Sequence, residues 1–128
     1  MKERIIKVLK VAPGKRPELC NLNNDLTSLQ EAVSEGAPHR GLIEIITLPD
    51  ETCLLCNEEG KLIPLPPNRR LGRDIICGTF YLTGQDEEGD LTSLSAERVE
   101  YYVKVFGDPE DIDPAEAQAA FLTDFIVF

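Results

Sequence analysis

The stretch Cys56–Arg70, CNEEGKLIPLPPNRR, carries the side chains of this chain that are best suited to binding chemistry. Pro66 and Pro67 fix their φ angles and lack backbone N–H donors, so they should hold the next residues on a stiff loop. A guanidinium group binds phosphate or carboxylate oxygens in pairs, and an asparagine amide can recognise another amide or a base edge. The pattern predicts a site for a small anionic ligand such as a nucleotide. Its candidate ligand-binding residues are Asn57, Asn68, Arg69, Arg70 and Arg73.

A structural role explains the same side chains. In that interpretation, Asn57 and Asn68 close turns, because asparagine side chains commonly bond to the backbone two residues further on. The arginines then form surface ion pairs with acidic residues that are close in sequence. The expected acidic partners are Glu58, Glu59 and Asp74.

The sequence contains no recognisable catalytic set. The single histidine, His39, lies in a loop-like GAPHRG segment without a predicted partner, and the serines and threonines fall at helix caps. A hydrolase needs a nucleophile beside a base, or two carboxylates held in a cleft. We therefore expect no catalytic residues, no enzyme activity and no cofactor.

The four cysteines are expected to be free thiols. The opening residues MKERIIKVLKV lack the apolar stretch and the cleavage site of a secretory signal, so we expect a cytoplasmic protein. Cys53 and Cys56 have the C-x-x-C spacing of half a zinc site. However, TCLLC reads as a strand, which sends positions i and i+3 to opposite faces. The acidic segment QDEEGD also lacks the ligand spacing of a calcium loop, so we expect no metal.

Charge is distributed unevenly along the chain. The net charge is −10 over all 128 residues, and the third formed by residues 85–128 alone has a net charge of −10. This excludes direct nucleic-acid binding through that third, because phosphate contacts need lysine and arginine. An acidic surface can instead bind a basic protein or imitate DNA, or it can simply keep the domain soluble. The candidate protein-binding residues are Asp86, Glu87, Glu88, Asp90, Asp108, Glu110, Asp111 and Asp113.

Apolar periodicity predicts an α+β fold in a single domain that covers residues 1–128. The predicted sheet is mostly antiparallel, with four or five strands and with two or three helices packed on one face. No apolar run is long enough to span a membrane. The predicted strands are Arg4–Val11, Glu18–Leu22, Gly41–Leu48, Thr52–Cys56 and Asp74–Thr83. The predicted helices begin after Asn24 or Asp25 and end at Gly36, cover Ala96–Phe106, and cover Pro114–Thr123. The apolar tail Phe125–Phe128 either docks on the domain or meets another chain.

Several segments resemble a family of small bacterial domains of unknown function that is carried by phages, plasmids and conjugative elements, often near antirestriction genes. The resemblance covers roughly residues 4–106 and leaves 107–128 as an extension. The matching motifs are NEEGKL at Asn57–Leu62, LPPNR at Leu65–Arg69, GTF at Gly78–Phe80 and the cap at Ser93–Ser95. The resemblance implies a mobile-element accessory protein and supplies no activity.

Two functional hypotheses follow from these observations. In the first, a non-enzymatic accessory protein binds a host protein through its acidic surface, as a DNA mimic or an anti-defence factor. In the second, the Pro-Pro-Asn-Arg-Arg loop binds a small anionic ligand or nucleotide. Neither hypothesis involves a membrane or direct contact with nucleic acid.

Overall fold

The computed structural model describes residues 3–63 and 65–119 of the chain. The strands are β1 (Ile5–Val11), β2 (Glu18–Asn23), β3 (Ile43–Thr47), β4 (Cys53–Asn57), β5 (Pro67–Leu71), β6 (Asp74–Cys77), β7 (Phe80–Gln85) and β8 (Leu91–Thr92). The helices are α1 (Leu26–Val33) and α2 (Ala96–Val105), and residues 114–119 are also helical.

The main sheet is antiparallel throughout and has the order β2-β1-β7-β4-β3. Its centre is β7, whose Leu82 pairs with Leu9 on one side and with Leu54 on the other. The short β8 adds to the end of β7, and β5 and β6 form a separate hairpin. The β1–β2 and β3–β4 hairpins thus flank a central strand that comes late in the chain.

Both faces of the main sheet are covered by apolar side chains. Successive strand residues point to opposite faces, so the apolar runs of β4 and β7 build two cores. The core under α2 includes Leu9, Leu54, Phe80, Leu82, Tyr102 and Phe106. The core under α1 includes Ile6, Val8, Leu29, Val33, Leu55 and Tyr81.

The α+β class and the antiparallel sheet are confirmed, but the prediction that the helices pack on one face is wrong. Helix α1 covers one face and α2 covers the other, because strands that are apolar on both sides need cover on both sides. The helix caps agree with the sequence analysis. The Asp25 carboxylate accepts from the Ser28 N–H at 2.8 Å, and the Ser95 hydroxyl accepts from the Arg98 N–H at 3.3 Å.

The run Asp74–Thr83, predicted as one strand, is divided into β6 and β7. The break occurs at Gly78, which has a φ of 84° and whose N–H donates to the Pro66 carbonyl at 2.7 Å. Such a positive φ favours glycine and turns the chain out of the sheet. Of this run, β7 alone lies at the centre of the main sheet, while β6 pairs with β5.

The segment predicted as a stiff loop contains strand β5, which sequence reasoning missed. Pro67 is the first residue of β5. A strand tolerates proline at its first residue, because the hydrogen-bond donors inside the strand are kept. None of the described helices is long and apolar enough to cross a membrane. The tail Phe125–Phe128 and the end of the predicted helix Pro114–Thr123 lie outside the described residues.

Candidate functional site

Arg69 is fully buried and binds the backbone of three chain segments. Its Nε and Nη2 donate to the Phe106 carbonyl at 3.2 and 2.9 Å, and Nη2 also donates to the Lys15 carbonyl at 2.7 Å. Its Nη1 donates to the backbone and side-chain oxygens of Asn68 at 3.3 and 2.7 Å. A guanidinium has five N–H donors, so this set satisfies all of them. We call this arrangement the Arg69 clasp.

The charge of Arg69 is compensated chiefly by carbonyl dipoles. Burial lowers the pKa of the guanidinium, while the carboxylates of Glu110 and Asp108 oppose that shift. Arginine nevertheless stays protonated in proteins. Phe106 is the C-cap of α2, where unpaired carbonyls give the helix end a partial negative charge. The helix end therefore provides the clasp with an acceptor that suits a cation.

Asn68 is buried beside the clasp, and both polar atoms of its side chain form hydrogen bonds within the protein. Its Nδ2 donates to the carbonyls of Val11 and Gly78, both at 2.8 Å, and its Oδ1 accepts from Arg69. These bonds tie β5 to the end of β1 and to the break between β6 and β7. Asn68 and Arg69 thus lie inside the fold, and the loop position expected for them from the two prolines is incorrect.

Arg70 faces solvent and is held by two glutamates of the C-terminal extension. Its Nη1 donates to Glu110 at 3.0 Å, and its Nη2 donates to both carboxylate oxygens of Glu116 at 2.9 Å. These bonds, with Glu116 contributing most, raise the pKa of Arg70. The partners are remote in sequence, so the expected pairing with Glu58, Glu59 or Asp74 does not occur for this arginine among the described residues.

The remaining two ligand candidates are separated from each other. Asn57 is buried, its Oδ1 accepts from the Glu59 N–H at 2.8 Å, and its Nδ2 donates to Ser34 at 3.2 Å. It therefore closes a turn, as the structural interpretation predicts. Arg73 is exposed in the β5–β6 turn and forms no ion pair within residues 3–63 and 65–119. The five candidates do not form one clamp.

The acidic candidates fall into two groups at opposite ends of the sheet. The Asp86–Asp90 group follows the end of β7. The Asp108–Asp113 group follows Phe106, whose ring lies 5.2 Å from that of Phe80 at the start of β7. The length of β7, about 20 Å, therefore separates the two groups.

Basic residues accompany the Asp108–Asp113 group. The Asp108 carboxylate lies 3.7 Å from Arg16, and Glu110 binds Arg70. The Asp113 carboxylate accepts from the Ala115 N–H at 2.9 Å and caps the helical residues 114–119. Asp111 is exposed. This end of the molecule has mixed charge.

The other end of the sheet collects acidic residues from five separate segments. We define the acidic pole as residues 3–4, 24–25, 48–52, 86–90 and 93–98, which lie beyond the strand ends and at the start of α2. Asn24 connects the pole to strand β8, because its Nδ2 donates to the carbonyls of Glu3 and Leu91. The pole has two arginines, Arg4 and Arg98. Its nine carboxylates belong to Glu3, Asp25, Asp50, Glu51, Asp86, Glu87, Glu88, Asp90 and Glu97.

Three carboxylates of the β7–β8 turn lie close together. Oxygens of Asp86, Glu88 and Asp90 are within 4.8 Å of one another. The Asp86 Oδ1 accepts from the N–H groups of Glu88 and Asp90, both at 2.9 Å, so it shapes the turn. Exposed groups of this kind are common without an ion, and this one indicates no metal site by itself.

The C-x-x-C pair does not act as a unit. Cys53 belongs to the core under α1 and Cys56 to the core under α2, as expected for positions i and i+3 of a strand. Burial, with the nearby Glu44 carboxylate, raises the pKa of Cys56 to about 12. Cys56 and Cys77 line a cleft of about 290 Å³ that also contains the Lys61–Asp74 ion pair. Both thiols are buried and pack with apolar side chains, Cys56 in the core under α2 and Cys77 with Leu65 and Ile75.

Comparison with known proteins yields one match. Residues 6–107 match the family described as "Domain of unknown function (DUF3846)". No curated protein and no solved structure matches.

Proposed function

This chain belongs to the DUF3846 family of domains of unknown function, and we propose that it is a non-enzymatic protein that binds a partner protein through the acidic pole. The observation that supports this most strongly is the convergence of nine carboxylates and two arginines at one end of the sheet. A surface with one predominant sign attracts a partner of the opposite sign and accelerates their association. The partner should therefore present a basic surface.

The geometry narrows the acidic surface that the sequence suggested. Asp86, Glu87, Glu88 and Asp90 belong to the pole, where Asp50, Glu51 and Glu97 join them. Asp108, Glu110, Asp111 and Asp113 lie at the mixed-charge end and share it with Arg16 and Arg70. We accordingly assign the first group to partner binding, whereas in the second group Glu110 binds Arg70 and Asp113 caps the helical residues 114–119.

We further propose that the partner is a host protein in the bacterial cytoplasm and that the domain serves a mobile element. The resemblance to domains carried by phages and plasmids supports this part of the proposal. A pole of this charge would repel nucleic acid, so the partner is expected to be a protein. A DNA-binding host protein, for instance a defence enzyme, has the basic surface that such a pole fits.

The test compares two variants that carry the same change of charge. Glu87→Gln/Glu88→Gln/Glu97→Gln neutralises exposed residues of the pole, whereas Glu18→Gln/Glu59→Gln/Asp111→Asn neutralises three carboxylates at the other end. Each tagged protein is used to capture partners from a bacterial lysate. The captured protein is then titrated with each variant by calorimetry at increasing salt. We expect the pole variant to lose roughly tenfold or more in affinity and the control variant to keep it.

A partner that binds both variants equally would contradict the proposal. An affinity that does not fall with salt would do the same, because exposed charges are screened over about 10 Å at ordinary ionic strength. Thermal unfolding of both variants shows whether the fold is intact.

One observation favours the second hypothesis, a small anionic ligand. Arg70 already donates to two carboxylates, so its guanidinium is accessible to anionic oxygen atoms. Arg73 is exposed nearby. A ligand there would compete with Glu110 and Glu116. Thermal unfolding with a panel of nucleotides tests this idea, since a ligand of the folded state raises the midpoint. The shift should vanish in Arg70→Ala/Arg73→Ala, and no shift with any nucleotide would exclude this class of ligand.

A further inference from the structure

Strand β3 forms one edge of the main sheet, and no other strand of the described residues pairs with its outer side. Two hydrogen bonds fix the ladder at its ends: the Glu58 N–H donates to the Leu42 carbonyl, and the Leu48 N–H donates to the Thr52 carbonyl. Bonded and non-bonded pairs alternate in an antiparallel ladder. The backbone groups of Ile43, Ile45 and Thr47 consequently point away from β4.

Apart from the charged Glu44, this edge lacks the features by which proteins usually block strand addition. Its sequence, IEIIT, has no proline or lysine, and its five pairs with β4 follow one another without a bulge. Ile45 at the centre is 53% exposed, and the preceding Leu42 is 55% exposed. An open, regular, apolar edge is a template for another strand. The opposite edge, β2, differs because Asn21 and Asn23 stand among its outward-facing residues.

We propose that β3 is a docking edge for an extended segment of a partner protein whose side chains alternate between apolar and basic. Main-chain hydrogen bonds to Ile43, Ile45 and Thr47 would provide the part of the binding energy that does not depend on the sequence of the segment. On the sheet face covered by α1, the exposed Ile45 would contact an apolar residue. On the other face, the exposed Glu44 would contact lysine or arginine.

Charge along the edge supports this occupant. Glu58 stands beside one end of β3 and Glu51 beside the other, so that a segment lying along the strand passes three carboxylates counting Glu44. Arg40 is the basic residue closest to this edge in sequence, and it pairs with Glu31 of α1 at 3.8 Å. A second copy of this chain is a poorer occupant, because each copy has a net charge of −10 and would bring another Glu44 to the same edge.

This inference goes beyond the proposed function, because it concerns a second surface that recognises main chain as well as charge. Glu51 belongs to both surfaces, but the residues changed in the tests belong to only one, so each proposal can fail without the other. Glu87→Gln/Glu88→Gln/Glu97→Gln should leave binding at β3 in place, since none of these residues belongs to the edge.

The test uses a short fluorescent peptide of alternating valine and lysine as the probe. Binding is measured by fluorescence anisotropy at physiological ionic strength, and amide exchange is followed by NMR in the same solution. We expect saturable binding that slows exchange of the Ile43, Ile45 and Thr47 amides by about tenfold or more. A peptide of alternating glycine and lysine has the same charge without the apolar face, and it should bind at least about tenfold more weakly.

The decisive variant is Ile45→Pro. The Ile45 N–H points away from β4, so proline there removes a donor of the open edge and no bond of the ladder. We expect peptide binding to be lost while thermal unfolding stays close to that of the wild type. The matched control is Asn21→Pro, which removes an outward N–H from the other edge and should leave peptide binding unchanged.

A second variant keeps the test valid if Ile45→Pro fails to fold. Glu44→Lys reverses the charge of an exposed side chain and should reverse the preference, so that a valine–glutamate peptide binds better than the valine–lysine peptide. The proposal would be overturned if the glycine–lysine peptide bound as tightly as the valine–lysine peptide. It would also be overturned if the peptide slowed amide exchange outside β3 instead of at Ile43, Ile45 and Thr47. A dimer in sedimentation experiments that Ile45→Pro dissociates would overturn it too, because a second copy would then be the occupant.

Discussion

At the scale of single residues, Arg69 shows how a charged side chain can hold a fold together without a carboxylate partner. Its five donors reach the turn between β1 and β2 at Lys15, the end of α2 at Phe106, and its neighbour Asn68. Buried polar groups are costly unless they are bonded, so each of these acceptors depends on the guanidinium. The LPPNR motif thereby has a structural explanation in its last two residues.

Arg69→Lys should therefore destabilise the domain although the charge is kept. Lysine has three donors on a compact head and cannot reach three segments at once, which leaves buried carbonyls unpaired. We expect a loss of about 2–4 kcal/mol in the free energy of unfolding, measured by urea denaturation. Arg73→Lys, in the exposed turn of the same hairpin, is the matched control and should change little. Equal stability of the two variants would contradict the clasp.

The role of Asn57 was accessible from sequence, whereas that of Arg69 was not. An asparagine turn depends on the next two residues, so NEE before Gly60 is enough to indicate it. Burial of Arg69 depends on Phe106 and Lys15, which are remote in the chain, and local spacing contains no information about them. Two consecutive prolines are typical of an exposed loop, and here tertiary contacts outweigh that preference.

At the scale of the elements, Gly78 separates a hairpin from the central strand. Its φ of 84° turns the chain between β6 and β7, and a Cβ there would lie 2.7 Å from the Leu65 side chain. The same residue donates its N–H to Pro66 and accepts from Asn68 through its carbonyl. Backbone conformation and close packing both require glycine at this position.

Gly78→Ala should be more destabilising than Gly89→Ala, which is its matched control. Both residues have a positive φ, 84° and 86°, but an added Cβ at Gly89 meets nothing within 4 Å. The control should lose about 1 kcal/mol from backbone strain alone. Gly78→Ala adds the contact with Leu65, and we expect a total of about 2–3 kcal/mol by urea denaturation. Similar losses in both variants would mean that Leu65 moves freely aside.

The elements that follow a simple rule were predictable. Alternating or β-branched residues indicated β1 to β4 within one or two residues of their observed ends, and Asp25 and Ser95 indicated the starts of α1 and α2. Strand β5 was not predicted because PNRRL does not alternate and contains a single aliphatic residue, Leu71. It pairs because Asn68 and Arg69 are bonded inside the fold, which no propensity scale describes.

At the scale of the whole molecule, topology determines which charges meet. The sequence places its largest acidic excess in residues 85–128, yet the structure divides that excess between two ends and adds Glu3, Asp50 and Glu51 to one of them. Strand order cannot be read from the composition of the segments, so the acidic pole could not be predicted. Of the residues predicted to bind a protein, those of the β7–β8 turn lie in the pole and those of the Asp108–Asp113 group do not.

The extension beyond the family match is attached to the β5–β6 hairpin. Ile112 and Ala117 pack with Ile75 of that hairpin, and Arg70 binds Glu110 and Glu116. Exposed ion pairs contribute little to global stability, but these two add to the packing of Ile112 and Ala117 in holding the extension on the hairpin.

Arg70→Ala should therefore loosen the extension without unfolding the sheet. We expect amide exchange of residues 110–117 to rise roughly severalfold, while β7 stays protected, in a hydrogen-exchange measurement by mass spectrometry. Arg73→Ala removes a neighbouring arginine that has no described ion pair and serves as the control. An equal increase in both variants, or none in either, would show that Ile112 and Ala117 alone hold the extension.

The central place of β7 has a consequence for the way the chain is made. Among residues 3–63 and 65–119, β7 is the seventh of eight strands in chain order, and it joins hairpins β1–β2 and β3–β4, which share no other neighbour in that part of the sheet. Pairing of Leu9 with Leu82 must therefore wait until most of the chain has left the ribosome. Until then, two hairpins with apolar residues on both faces are exposed to the cell. A chaperone that binds extended apolar segments would therefore act chiefly during this interval.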